Sequence, residues 1–173
     1  MKKILLLIAG VGYQPIEYGT PKQLFLDAGF LVTTASDIPG VAQASDGTTT
    51  TVDLLLDDVE VEEYDALFLI GGPGALEHLD VQETHKICNE AMLHGILYGA
   101  ICIAPRILAK AHVLVGKKAT GWNGDTALQE IFAQHNVVYE DRPVVRDGNV
   151  ITASGPGAAE AFGRAIIELL LEG

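Results

Sequence analysis

Continuous apolar runs alternate with amphipathic stretches along this chain. Residues 4–9 (Ile-Leu-Leu-Leu-Ile-Ala), 66–70 and 95–101 carry almost no polar side chains. Short runs of this kind suit strands buried on both faces of a sheet. Residues 30–35 read as a further strand. Helical spacing fills the intervals. Residues 16–28 form one helix, stopped by Gly29. Asp80 caps a second through residue 94, with Ile87, Cys88, Ala91 and Met92 on one face and Gly95 closing it. A third follows from Arg106. Asp125 caps a fourth, with Leu128, Ile131 and Phe132 inward. Phe162, Ala165, Ile166, Leu169 and Leu170 mark the core face of the last. Residues 119–120 and 137–139 read as short strands, and 144–151 as a hairpin turning at Asp147-Gly148-Asn149. The Thr-, Asp- and Gly-rich residues 37–58 read as irregular, with a short edge hairpin as the alternative, and 60–64 as an acidic lead-in.

This alternation predicts an α/β fold in one domain, residues 1–173: a mainly parallel sheet with helices on both faces and a small antiparallel hairpin. Sites in such folds form beyond the carboxyl ends of the strands. Here the ends after Ala9, Ile70 and Ile101 converge. They carry Glu17, the loop Gly71-Gly72-Pro73-Gly74, and Cys102.

Cys102 falls where an apolar strand meets a helix. Ala100 and Ala104 flank it two residues to either side, the spacing of a sharp strand-to-helix turn whose central residue is strained. Pro105 in the first helical turn gives up an N–H that has no partner there. A cysteine at a helix N-terminus is expected to ionise readily, because the dipole and free N–H groups favour a thiolate. A small core residue at a strand end is the plainer reading of Cys102; the spacing and the glycine loop weigh for chemistry. Glu17, in a first helical turn, reads by itself slightly more readily as a solvated helix-start acid than as a catalytic one. The glycine loop could present N–H groups to an oxyanion or simply turn the chain. It is not a phosphate loop, since no Gly-Lys-Ser/Thr follows, and Gly10-Val-Gly12 is not a dinucleotide fingerprint, since Pro15 stands at the third glycine position.

The other polar motifs carry less. His85 and Cys88, three apart on one helix, lack a third metal ligand, so no metal is expected. No spacing supports His135, near Asp141, as a base for Cys102. Arg142 reads as a partner for surface carboxylates, and Gly155-Pro156-Gly157 as a turn that could border the site. With 11 basic and 23 acidic residues the formal net charge is −12, which argues against nucleic acid or anionic membrane as partner. Two cysteines make no disulfide framework, so a reduced, cytoplasmic protein is expected. The opening Met-Lys-Lys and its apolar run read as a first strand rather than a signal peptide.

Taken together, Glu17 ahead of Ala28-Gly29, Gly-Gly-x-Gly at 71–74, Ala-Ile-Cys-x-x-Pro at 100–105, and Asp147-Gly-x-x-x-Thr152 with Gly-Pro-Gly at 155–157 resemble the ThiJ/PfpI superfamily. This is a group with a class I glutamine amidotransferase-like fold that includes Parkinsonism-associated deglycases and PfpI-type intracellular peptidases. The resemblance covers nearly the whole chain. It implies a flavodoxin-like three-layer sandwich. It places the reactive cysteine at Cys102 and its hydrogen-bonding acid at Glu17. Gly71 and Gly72 line the pocket, with Ile103, Trp122 and Gly155 around it. It implies no cofactor, and a homodimer or higher homo-oligomer.

Three positions depart from the pattern. Ile103 stands where the peptidases have His, Trp122 near where a deglycase-like branch has His, and Ser154 where that branch has Arg. The resemblance therefore implies a cofactor-free enzyme acting on small carbonyl compounds such as 2-oxoaldehydes. The alternative is an oxidative-stress sensor or chaperone-like protein using oxidation of Cys102. A cysteine peptidase or amidase is disfavoured by Ile103.

Overall fold

The computed structural model describes every residue from Met1 to Gly173. Its centre is β1 (Lys3–Ile8). Leu5 and Leu7 enter one core, while Ile4, Leu6 and Ile8 enter the other. Side chains of a strand alternate between faces, so a strand covered on both sides has no polar positions to show. Each of these fully buried aliphatic side chains contributes about 1.5–3 kcal/mol.

β1 pairs in parallel with β3 (Leu31–Ser36) on one side and β7 (Ala66–Leu69) on the other. Beyond β3 lies the short β6 (Leu54–Leu55), and beyond β7 lie β8 (Leu97–Ile101), β12 (Val150–Ala153) and β11 (Val144–Asp147). All neighbours in this seven-stranded sheet run parallel except β11, which forms the expected hairpin with β12. The α1 (Pro15–Asp27) and α6 (Ala159–Glu172) helices cover one face, and α3 (Gln82–His94), α4 (Pro105–Lys110) and α5 (Leu128–Gln134) the other. Phe68 and Phe162 stack edge to face across the first layer, with centroids 5.4 Å apart. Gly163 lets α6 approach α1 closely: a Cβ there would lie 2.9 Å from Leu24 and 3.2 Å from Pro21 Cα. The flavodoxin-like three-layer arrangement read from the sequence is the one observed. No helix is long and apolar enough to cross a membrane.

Several local readings are corrected. Residues 37–58 are more ordered than their composition indicates. β4 (Val41–Ala44) and β5 (Thr49–Thr51) form an antiparallel hairpin, and β4 also pairs with β2 (Val11–Tyr13) in a second, three-stranded sheet. A five-residue helix, α2 (Ala75–Leu79), follows the glycine loop. Asp80 caps nothing; α3 begins after Val81, and the Asp80 carboxylate instead binds His85 and Lys110 at 2.8 and 2.7 Å. Asp125 is likewise not the N-cap of α5. It binds Arg106, while Asn123 Oδ1 accepts the Leu128 N–H. Asp80 is given over to His85 and Lys110, whereas Asp125 Oδ1 is shared between Arg106 and the Ala127 N–H at 3.1 Å just before the helix. Ile131 is half-buried rather than inward.

The strand order reverses beside β1, with β3 and β6 to one side and β7, β8 and β12 to the other. The carboxyl ends of β1 and β7 therefore open a crevice where loops meet. Cys102 sits one strand away, at the end of β8.

Candidate active site

Cys102 has φ +65°, in the left-handed region that a side chain adopts only under constraint. The constraint comes from both of its backbone groups. Its N–H donates to Ala153 C=O at 2.9 Å, and its C=O accepts the Trp122 N–H at 2.6 Å. The elbow is thus tied to β12 and to the chain that follows β9 (Lys118–Ala119). Ala100 and Ala104 are fully buried beneath it, which is why both must be small. The thiol itself remains half-buried. Pro105 is the first residue of α4, as its ring requires.

Glu17 reaches the same place from α1. Gln14 caps that helix, its Oε1 accepting the N–H groups of Ile16 and Glu17 at 2.6 and 2.9 Å. The capping work is done, so the Glu17 side chain is free to turn inward. It is 0% exposed, which overturns the reading of a solvated helix-start acid. Its Oε1 accepts the Gly71 N–H at 3.0 Å. Its Oε2 is buried with no nitrogen or oxygen donor to meet it. Pro21, one turn on, withholds the N–H that would otherwise bond the Glu17 carbonyl.

Gly71 has no room for a side chain. A Cβ would stand 2.6 Å from Glu17 Oε1 and 2.8 Å from Cys102 Cβ. Gly72 has φ +126° and packs against the backbone of Gly12 and Gln14, so it is fixed by the loop after β1. Its N–H has no acceptor within the protein, and the Ile103 N–H reaches the Cys102 sulfur. A Cβ on Gly155 would lie 3.9 Å from that sulfur. Trp122 borders the elbow through its backbone, and its ring is 37% exposed. All seven residues named from the sequence therefore lie at or beside one elbow, with Gly72 behind Gly71.

Burial pushes the Glu17 carboxyl up to about 7, against the hydrogen bonds from Cys102 and Gly71 that lower it. Burial also raises the Cys102 thiol, and the neighbouring Glu17 charge raises it further; the Ile103 N–H and Arg106 act the other way. The thiolate that the helix dipole favours is opposed here: desolvation and the Glu17 charge both work to keep the proton on the sulfur. Cys88 is a different case. It is fully buried in the α3 core, its thiol pushed up to about 12 by burial alone.

The histidines pair elsewhere: His78 with Asp37, His85 with Asp80, His94 with Glu62, and His112 with His135 ring to ring. No group of three metal-ligating side chains is present. A cavity of about 370 Å³ lies at the opposite end of the strands, lined by Met92, Tyr98, His112 and Lys117 among others and by no thiol or carboxylate. Ser154 is half-buried and donates its N–H to Pro143 C=O at 2.9 Å. Arg142 lies near Glu140 on the surface, 3.7 Å apart.

Sequence reasoning missed Arg106. It is buried one turn beyond the elbow and held by Asp125. The signal was there: an arginine in a first helical turn opposes the helix dipole and needs a reason.

This fold and elbow define a class. The chain belongs to the DJ-1/PfpI family, which its residues 2–169 match. It is 34% identical to Deglycase PfpI of Pyrococcus furiosus over 97% of this chain and 99% of that protein. It is 30% identical to protein dj-1beta of Drosophila melanogaster over 98% of this chain and 90% of that one. The crystal structure of a ThiJ/PfpI domain protein from Brachyspira murdochii matches with TM-score 0.93 at 28% identity, covering 98% of this chain and 96% of that chain.

Proposed function

We propose that this protein is a cofactor-free, cysteine-dependent enzyme of the deglycase or glyoxalase kind, acting on small 2-oxoaldehydes. The observation that carries the reading is the Cys102–Glu17 pair: a strained, half-buried thiol beside a fully buried carboxyl whose pKa lies near 7. A base of that strength is part-ionised at neutral pH and suited to passing protons both ways. The deglycase name of the Pyrococcus furiosus relative supports the same class of activity.

The chemistry needs only these groups and one water. The Cys102 sulfur attacks the aldehyde carbon while Glu17 takes the thiol proton. That proton passes to the aldehyde oxygen, giving a hemithioacetal. The N–H groups of Gly72 and Ile103 are the donors available to the oxygen as it gains charge. Glu17 then removes the hydrogen from the carbon bonded to sulfur and returns it to the adjacent carbonyl carbon, while the hemithioacetal hydroxyl gives its proton to the oxygen of that carbon, leaving a thioester. Water adds, the carbon–sulfur bond breaks, and the thiol recovers its proton. The product is a 2-hydroxy acid, with no net oxidation. Purified protein mixed with methylglyoxal should yield lactate by NMR, and Cys102→Ala should abolish it. Full turnover by that variant would sink the reading.

A second reading draws on the partnerless Glu17 Oε2. Two successive peroxide molecules would each add one oxygen to the Cys102 sulfur and leave as water, passing through the sulfenic acid, and a protonated Glu17 would then donate to the resulting sulfinate. The peptidase reading has no support here: Ile103 supplies no base, and the histidines pair elsewhere.

A further inference from the structure

Arg106 is the second residue of α4. It is only 5% exposed. Its fork grips Asp125 twice, Nη1 to Oδ2 at 2.9 Å and Nη2 to Oδ1 at 2.7 Å, and Nη2 also donates to the Trp122 carbonyl at 3.1 Å. The guanidinium carbon lies 5.5 Å from the centroid of the Trp122 ring. Nε is buried and has no partner. The Trp122 N–H, in turn, donates to the Cys102 carbonyl. A closed circuit results: elbow, Trp122, Arg106, and back along the first turn of α4 to the elbow.

Such a circuit is a costly way to fill a core position. A guanidinium buried at a helix N-terminus loses solvation and opposes the dipole, and an apolar side chain of similar size would avoid both penalties. Asp125 offsets the charge from the solvent side and is itself exposed, its carboxyl drawn down to about 2 by the Arg106 hydrogen bonds.

We propose that Arg106 is a positioning residue for Cys102: through Trp122 it holds the elbow in its left-handed turn, and its charge, balanced by Asp125, sets the charge state open to the sulfur. This rests on Cys102 being the reactive group. Two charged side chains are tied to the elbow: Glu17 of α1, which meets Cys102 across Gly71, and Arg106 of α4, joined to the Cys102 carbonyl through the Trp122 peptide. The loops after β7 and β12 approach it with Gly71 and Gly155, which bring no charge.

The test is the pH dependence of iodoacetamide alkylation at Cys102 in the full chain, read by peptide mass spectrometry, with thermal midpoints alongside. Arg106→Gln should raise the alkylation midpoint by about half a pH unit or more, since a favourable charge is gone. Asp125→Asn should lower it by a similar amount, since the Arg106 charge is then unbalanced. Arg106→Lys keeps the charge but loses the fork, and should restore most of the wild-type midpoint. A residue that only braced the loop would move both midpoints the same way or neither, and that result overturns the proposal. If Arg106→Gln does not fold, Asp125→Asn decides alone, and no downward shift overturns it. The readout needs no substrate. Opposite shifts in a protein that turns over no aldehyde would sink the proposed activity and leave the role of Arg106 standing.

Discussion

Glu17 and Cys102 meet across Gly71, where one added methyl group would crowd both. The carboxyl comes from the first turn of α1 and the thiol from the end of β8. Only the parallel sheet, with β1, β7 and β8 side by side, brings them together.

Gly71→Ala is expected to disable the site with a smaller effect on the fold. The new Cβ would stand 2.6 Å from Glu17 Oε1, 2.8 Å from Cys102 Cβ and 2.8 Å from the Ile101 carbonyl. Relieving those contacts moves the acid away from the thiol. Overpacking of this kind costs about 1–3 kcal/mol. Displacement by about 1 Å costs on the order of 100-fold in rate. Thermal unfolding beside turnover measures both. Unchanged turnover with unchanged stability would mean the contact is not tight.

Glu17 should also make stability depend on pH. Its carboxyl is raised from 4.5 in the free state to about 7 in the fold, chiefly by burial. The neutral acid is therefore the form the fold prefers. Its advantage is complete below pH 4.5 and is lost as pH rises through about 7. A shift of that size corresponds to about 3 kcal/mol. Wild-type protein should lose stability relative to Glu17→Gln between those limits and run parallel to it above. Denaturant titrations across pH 4–9 would show this, and a constant difference would contradict it.

The two cysteines should behave oppositely toward alkylating reagents. Burial pushes both thiols up, so access separates them: Cys88 is fully buried, whereas Cys102 is half-buried and open to solvent. Folded protein should label at Cys102 alone, and Cys88 should label only on unfolding. Appreciable native labelling at Cys88 would mean that α3 opens locally.

Much of this was legible in the chain because it rests on local pattern. The apolar run of β1 reports burial on both faces, and Ala100 and Ala104 around Cys102 report a crowded turn. The burial of Glu17 was not legible, since a carboxylate in a first helical turn suits a surface equally well; only the Gly71 N–H, from another loop, distinguishes the two. Arg106 and Asp125 were hidden for a similar reason. Asp125 fits a local capping rule, and its actual partner lies nineteen residues away in sequence. The opposition to a Cys102 thiolate was not legible, because a helix dipole is visible in sequence whereas desolvation by the surrounding fold is not. The β4–β5 hairpin was underrated because its Thr- and Gly-rich residues are held by pairing with β2, a long-range contact.

The measurement that bears most directly on the Cys102–Glu17 pair is a comparison of two rates in Glu17→Gln. One is alkylation of Cys102 across pH, and the other is conversion of methylglyoxal to lactate. Removing the Glu17 charge should lower the alkylation midpoint, because that charge helps hold the proton on the thiol. The same change removes the base, so turnover should fall by about 100-fold or more. A sulfur that becomes easier to alkylate while catalysis disappears is the predicted outcome. Turnover that survives Glu17→Gln, or an alkylation midpoint that does not move, would contradict the account.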